Sequence, residues 1–137
     1  MKQAIFIFLV SAFIMACNQT ETKRPTTAME VGTTFIRATL DGDFKTAESL
    51  LYKDSLNEEF FKAYKRSFEA QPKEKKEAYK SANYNINTFT ETNDTVNIID
   101  YSNSFMKQNQ KIKLIKKAAQ WSVDFKYTTG DTTTVTK

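Results

Sequence analysis

Cys17 is the one thiol in a 137-residue chain that contains no histidine. A lone cysteine forms no internal disulfide, and without histidine there is no Cys–His dyad and no soft-metal ligand set. Proton transfer near neutral pH then falls to carboxylates, which serve as general acids or bases when burial or a neighbouring charge moves their pKa toward the working pH. Asp100 is the carboxylate to weigh, because it has the parity of Val96 and Ile98 in a strand-like run and is the only inward candidate. A mid-strand acid at a bulge or a sheet edge explains it equally simply. Asp124 falls between Val123 and Phe125, opposite the stripe of Trp121, Val123, Phe125 and Tyr127, which predicts a solvent position. Asp41-Gly42-Asp43 has the spacing that opens a calcium loop, but Phe44 and Lys45 stand where further oxygen ligands are needed. It reads as a helix stop followed by a helix cap. The chain has no Gly-rich phosphate loop and no nucleophile elbow, so no metal or cofactor is expected.

The setting of Cys17 gives its chemistry. Lys2 supplies a short positive start, and Ala4 to Ala16 form an apolar run, which is the pattern of a secretory signal. The run is shorter than the roughly 20 residues that a permanent membrane helix needs. Ile14-Met15-Ala16-Cys17 resembles the bacterial lipobox, with an aliphatic residue at −3, a small residue at −1 and Cys at +1, although Met15 and Ile14 replace the commoner residues. The resemblance implies cleavage before Cys17, a diacylglyceryl thioether on its sulfur and an acyl chain on its new amino group. Several acyl chains anchor stably where one does not. Asn18 after the Cys is similar to lipoproteins passed on to the outer membrane, facing the periplasm. The expected organisation is a signal over 1–16, a lipidated tether over 17–26, one domain over 27–127 and a polar Thr-rich tail over 128–137.

The elements that must position any site follow from the periodicity. Thr27 and Glu30 fit a capping box, and Ala28, Val31, Phe35 and Ala38 follow at helical spacing. Gly42 ends that helix, and Asp43 caps a second with Phe44, Ala47, Leu50 and Leu51 on its apolar face. Ser55 and Glu58 form another capping box, predicting a longer helix with Leu56, Phe60, Ala63, Tyr64 and Phe68 on one side until Pro72 interrupts it. A short polar helical turn follows over 73–80. From Ala82 onward, β-branched and aromatic residues alternate with polar ones, predicting strands at 84–90, 95–101, 111–117 and 120–127. Val96 and Ile98 disagree in parity with Ile99 and Tyr101, so either both faces of the second strand are covered or a bulge switches them. Helices followed by an antiparallel meander make an α+β domain with N-terminal helices packed on a curved four-stranded sheet.

Phe35 to Leu51, FIRATLDGDFKTAESLL, is similar to the opening of the NTF2-like (cystatin-like) superfamily, and Lys111 to Phe125, KIKLIKKAAQWSVDF, resembles its closing hairpin. More narrowly, the chain resembles small bacterial lipoproteins with a DUF4878-type domain. The hairpin departs from the pattern in turning through Ala118-Ala119, where Gly is usual. The resemblance implies a cone-shaped domain that often dimerises through its sheet. Some members are similar to ketosteroid isomerase, with an Asp base beside a Tyr hydroxyl in an apolar cavity. Asp100 or Asp124 with Tyr64, Tyr84 or Tyr101 could supply such a pair. Tyr64, Tyr84, Asp100 and Trp121 are therefore the candidate pocket residues, with Trp121 expected to be buried.

The net charge of +4 comes largely from Lys73–Lys76 and Lys111–Lys117. Lysines interleaved with acids and a scarcity of arginine argue against nucleic acid as a partner, and attraction to anionic lipid is the modest alternative. The expected protein is a lipid-anchored, non-catalytic envelope protein that binds a small ligand or a protein partner. Its rivals are a scaffold with a filled cone and, third, an enzyme. An open cavity of a few hundred Å³ separates binding from scaffolding.

Overall fold

The computed structural model describes residues 23–130. The expected signal, the lipidation site at Cys17 and the first part of the tether lie outside the described residues, as does the chain after Gly130. Among the described residues, five helices and four strands follow in order: α1 Ala28–Asp41, α2 Phe44–Ser49, α3 Ser55–Glu69, α4 Lys73–Lys80, β1 Tyr84–Asn93, β2 Val96–Asn103, β3 Asn109–Lys117, β4 Gln120–Val123 and α5 Phe125–Gly130. The domain is α+β, with an open antiparallel sheet in the order β1-β2-β3-β4.

Helix α1 starts on the capping box that its sequence encodes: Glu30 N–H donates to Thr27 Oγ1 at 3.2 Å and Thr27 N–H donates to Glu30 Oε2 at 3.1 Å. It ends at Gly42, whose φ of 73° is the left-handed geometry glycine adopts without a Cβ penalty. Asp43 caps α2 by accepting from Thr46 N–H at 3.1 Å. These contacts give Asp41-Gly42-Asp43 its helix-stop role.

Helix α3 differs from its expected phase. Its cap is Asp54, which accepts from Asn57 N–H at 2.8 Å, rather than Ser55. The buried stripe therefore runs through Asn57 and Phe61, with Tyr64 and Phe68 half-buried behind them. Leu56 and Phe60 remain 51% and 38% exposed. An aspartate preceding a serine offers the stronger acceptor at the same helix start, and Asn57 has buried partners that draw it inward.

The meander keeps one face toward the helices. Ile99 pairs with Ile112 and Leu114 with Val123, and all four are buried. Strand β2 is regular, with Asn97, Ile99, Tyr101 and Asn103 inward and Val96, Ile98 and Asp100 outward. The register shifts lie instead in β1, one between Glu91 and Asn93 and the other a bulge at Asn87 between Ile86 and Thr88. It brings Ile86 and Phe89, which differ in parity, opposite Tyr101 and Ile99 on the same face.

Strand β4 is shorter than expected. It stops at Val123, where Asp124 N–H still donates to Lys113 O at 2.8 Å, and Phe125 begins α5, which runs on over part of the expected tail. Leu51 adds a parallel bridge to Val123 on the outer edge. The core joins Val31, Phe35 and Ile36 of α1, Phe44 of α2 and Phe61 of α3 to the inner face of the sheet and to Phe125.

Candidate functional site

Between α1, α3, α4 and the inner face of the sheet lies a cavity of about 320 Å³. Phe35, Leu40, Ile112 and Phe125 give it apolar walls, and Tyr64, Tyr79 and Tyr101 bring three phenols into it. Asn103, Met106 and Gln110 continue the lining toward the β2–β3 connection, where Asn103 Oδ1 accepts from the N–H groups of Phe105 and Met106 at 3.1 and 2.8 Å. Among the described residues, no Asp, Glu, Lys or Arg lines the cavity.

The aromatic rings hold the phenols in place. Tyr64 packs on Phe125, Phe61 and Phe44 with centroids 5.7, 6.0 and 6.1 Å away, and Tyr79 lies against Phe105 at 4.2 Å and Phe68 at 5.7 Å. Burial raises the Tyr64 phenol well above its ordinary pKa, reinforced by Tyr101 and Tyr79, while a hydrogen bond with Thr39 acts in the opposite sense. Burial likewise pushes Tyr101 up to about 12 and raises Tyr79. All three phenols are thus neutral hydrogen-bonding groups at physiological pH. The Thr128 hydroxyl, also in the lining, is buried and has no hydrogen-bond partner among the described residues.

Of the residues singled out from sequence, Tyr64 lies in this cavity, as does Tyr101, offered as an alternative hydroxyl partner. Tyr84 lines a separate, open depression beside Thr33, Arg37 and Asp41. Asp100 is on the outer face, accepting from Asn87 Nδ2 at 2.8 Å, because the regular β2 strand turns Ile99 and Tyr101 inward. Trp121 is half-buried at the edge of the core, with Lys116 Nζ 5.6 Å from its ring centroid. Tyr79 is the cavity phenol not singled out from the sequence. Tyr101 follows from a regular β2, but Tyr79 sits in a helix whose charged residues mask its inward turn.

Asp124, expected in solvent, is the inward carboxylate at 5% exposure. Leaving β4 after Val123 turns it into a polar cluster. Fully buried Asn57 donates to Asp54 Oδ2 at 3.1 Å and Asp124 Oδ1 at 3.3 Å, and it accepts from Lys126 N–H at 2.8 Å. Lys126 Nζ contacts Asp54 Oδ2 at 2.5 Å and Asp124 Oδ1 at 3.3 Å, and Lys113 Nζ reaches Asp124 Oδ2 at 3.5 Å. The Lys126 hydrogen bond holds Asp54 below its ordinary range, and Lys126 is raised in return. Buried charges with this many partners are compensated. The cluster ties the start of α3 to the β4–α5 junction, and none of these residues lines the tyrosine cavity. Among the described residues, no group of three or more acidic or thiol side chains is arranged to hold a metal ion.

No protein-family model, no curated protein and no solved structure matches the chain.

Proposed function

We propose that this chain is a lipid-anchored envelope protein whose domain binds a small, uncharged, largely apolar molecule in the tyrosine cavity without transforming it. The observation that carries the reading is a cavity of about 320 Å³ whose described lining is neutral throughout. That volume is at the lower end of the roughly 300–1,000 Å³ of small-molecule sites. A charged ligand would have to shed its hydration with no counter-charge in reach. Phenol, amide and hydroxyl groups instead offer hydrogen bonds to a carbonyl, ether or hydroxyl. General acid–base chemistry is disfavoured because no carboxylate among the described residues lines the cavity, and the inward Asp124 is engaged by Asn57, Lys113 and Lys126.

The anchor would be an acylated Cys17, in an outer membrane facing the periplasm, with the apolar run before it as the signal. The NTF2-like fold is the parent architecture that the helix order, the Gly42 turn and the antiparallel meander support.

The test uses N-phenyl-1-naphthylamine, an uncharged fluorophore, beside its anionic relative 8-anilinonaphthalene-1-sulfonate. Saturable enhancement of the neutral probe is expected. Ile112→Phe, which fills the cavity floor, should weaken it at least tenfold. Equal enhancement in the filled variant, or a preference for the anionic probe, overturns the reading.

A further inference from the structure

We propose that the edge made by β4, the β3–β4 turn and the segment leading into α1 is a docking face for an anionic phospholipid bilayer. This inference rests on the acylated Cys17 of the proposed function. It is carried by where the chain leaves the described domain and by the charges gathered there.

Arg24 fixes the point of departure. Its Nη1 donates to Ser49 O at 2.5 Å, and its Nη2 reaches Trp121 O at 3.4 Å and Ser122 Oγ at 3.5 Å. With the Gln120 amide turned so that both its atoms are satisfied, its oxygen accepts from Arg24 Nε at 2.6 Å. The segment before α1 is therefore pinned along β4 and the end of α2. Five residues, 18–22, separate Cys17 from Lys23. At roughly 3.3–3.6 Å per residue they span at most about 20 Å. An acyl anchor on Cys17 thus holds this edge, rather than the opposite β1 edge, close to the lipid headgroups.

The side chains at that edge suit such a surface. Arg24, Lys53 and Lys117 surround a depression of about 250 Å³ that no Asp or Glu lines among the described residues. Lys117 Nζ stands 5.0 Å from the ring centroid of Tyr52, and Lys116 Nζ 5.6 Å from that of Trp121. Cations mounted on amphipathic rings are suited to the headgroup layer, where the positive charge meets phosphate and the ring meets the upper acyl chains. Such attraction acts only within about a Debye length, 8–10 Å at physiological ionic strength, so it depends on a tether that keeps the face near the membrane. The anchor and the basic face therefore act together. The anchor supplies permanence and the face supplies orientation, with the lysines of the hairpin turned to the lipid.

Trp121 is the single tryptophan of the chain, so it reports on this face without labelling. The full lipidated protein is reconstituted in phosphatidylcholine vesicles with or without phosphatidylglycerol, carrying bromine on the acyl chains near the glycerol. Trp121 emission is expected to be quenched in the anionic vesicles alone. The quenching should be relieved by high salt and lost in Lys116→Glu/Lys117→Glu. Lys53→Glu, on a different element across the depression, should reduce it as well. Vesicle flotation is measured in parallel and should be the same for all variants. Protein that floats but shows equal quenching in both lipids, or quenching indifferent to salt and charge reversal, overturns the docking face alone. Protein that does not float overturns the anchor and the docking face with it. Emission that responds to soluble polyglutamate and not to anionic vesicles overturns the bilayer in favour of an acidic polypeptide.

Discussion

A Cβ on Gly32 would overlap the Cδ1 methyl of Ile99 and come within 3.2 Å of Leu114 Cδ1, so α1 lies against the sheet as closely as a glycine allows. Ile99 and Leu114 are both 0% exposed, which leaves the methyl no free volume to enter. Gly32→Ala gains about 1 kcal/mol of helix propensity, but overpacking a filled core costs about 1–3 kcal/mol. A net loss of about 1 kcal/mol is expected, read as a lower denaturant midpoint at unchanged slope. A raised midpoint would mean that Ile99 swings aside freely.

The β3–β4 turn points the other way. Ala118 and Ala119 have φ of 47° and 61°, so a two-residue hairpin turn places two alanines in left-handed backbone. That geometry costs an L-residue roughly 1–2 kcal/mol, and glycine escapes the cost while losing some chain entropy. Ala119→Gly should therefore raise stability by about 0.5–1 kcal/mol. Thermal unfolding decides it, and a lowered midpoint would mean that another turn type is present.

The sequence and the structure agree where a signal is local. The Thr27–Glu30 box, the Gly42 stop and the alternation of β3 are each written within a few residues. They differ where a distant partner decides. Asp54 displaces Ser55 as the α3 cap, and Asn57 turns inward because Asp124 and Lys126, far along the chain, complete its hydrogen bonds. The end of β4 depends on the same cluster, so alternation carried through Phe125 and Tyr127 overran it. The face switch lies in β1, where Ile86 and Phe89 differ in parity, and not in β2, whose alternation is regular. The cavity was legible through Tyr64 and Tyr101 alone, because the other walls come from elements whose packing no short window reports.

The Asp54–Lys126 pair gives the cluster a pH signature. Asp54 is held below its ordinary 3.8, so its contribution is complete above that value and is lost as pH falls through the depressed one. Lys126 is raised above 10.5, so its contribution is complete below that and is lost as pH rises through the higher value. Asp54→Asn keeps a good cap and removes the charge. A cost of about 1 kcal/mol is expected at neutral pH, as for a well-formed ion pair that water still reaches. The cost should fade at strongly acidic pH. Ser55→Ala should stay within about 0.5 kcal/mol. Denaturation at several pH values tests both, and a cost independent of pH would mean that the pair contributes through shape alone.

The cavity phenols set the alkaline limit. Burial raises Tyr64, and Tyr101 reaches about 12. As pH climbs past the ordinary value of about 10, the unfolded chain releases these phenolic protons while the folded domain retains them. The unfolded state then binds fewer protons, so stability declines from about pH 10 up to the folded values. Phenolate absorbance should accordingly show a late phase that disappears in step with unfolding. Tyr101→Phe keeps the ring and removes the ionisable hydroxyl, so part of the late phase should vanish and stability should fall less steeply above pH 10. An uncharged ligand bound against Tyr101 deepens its burial and should delay the phase further, which connects this titration to occupancy of the cavity. If Tyr101→Phe leaves both the late phase and the alkaline decline unchanged, Tyr101 titrates as an exposed phenol and the neutral, water-poor character assigned to the cavity is wrong.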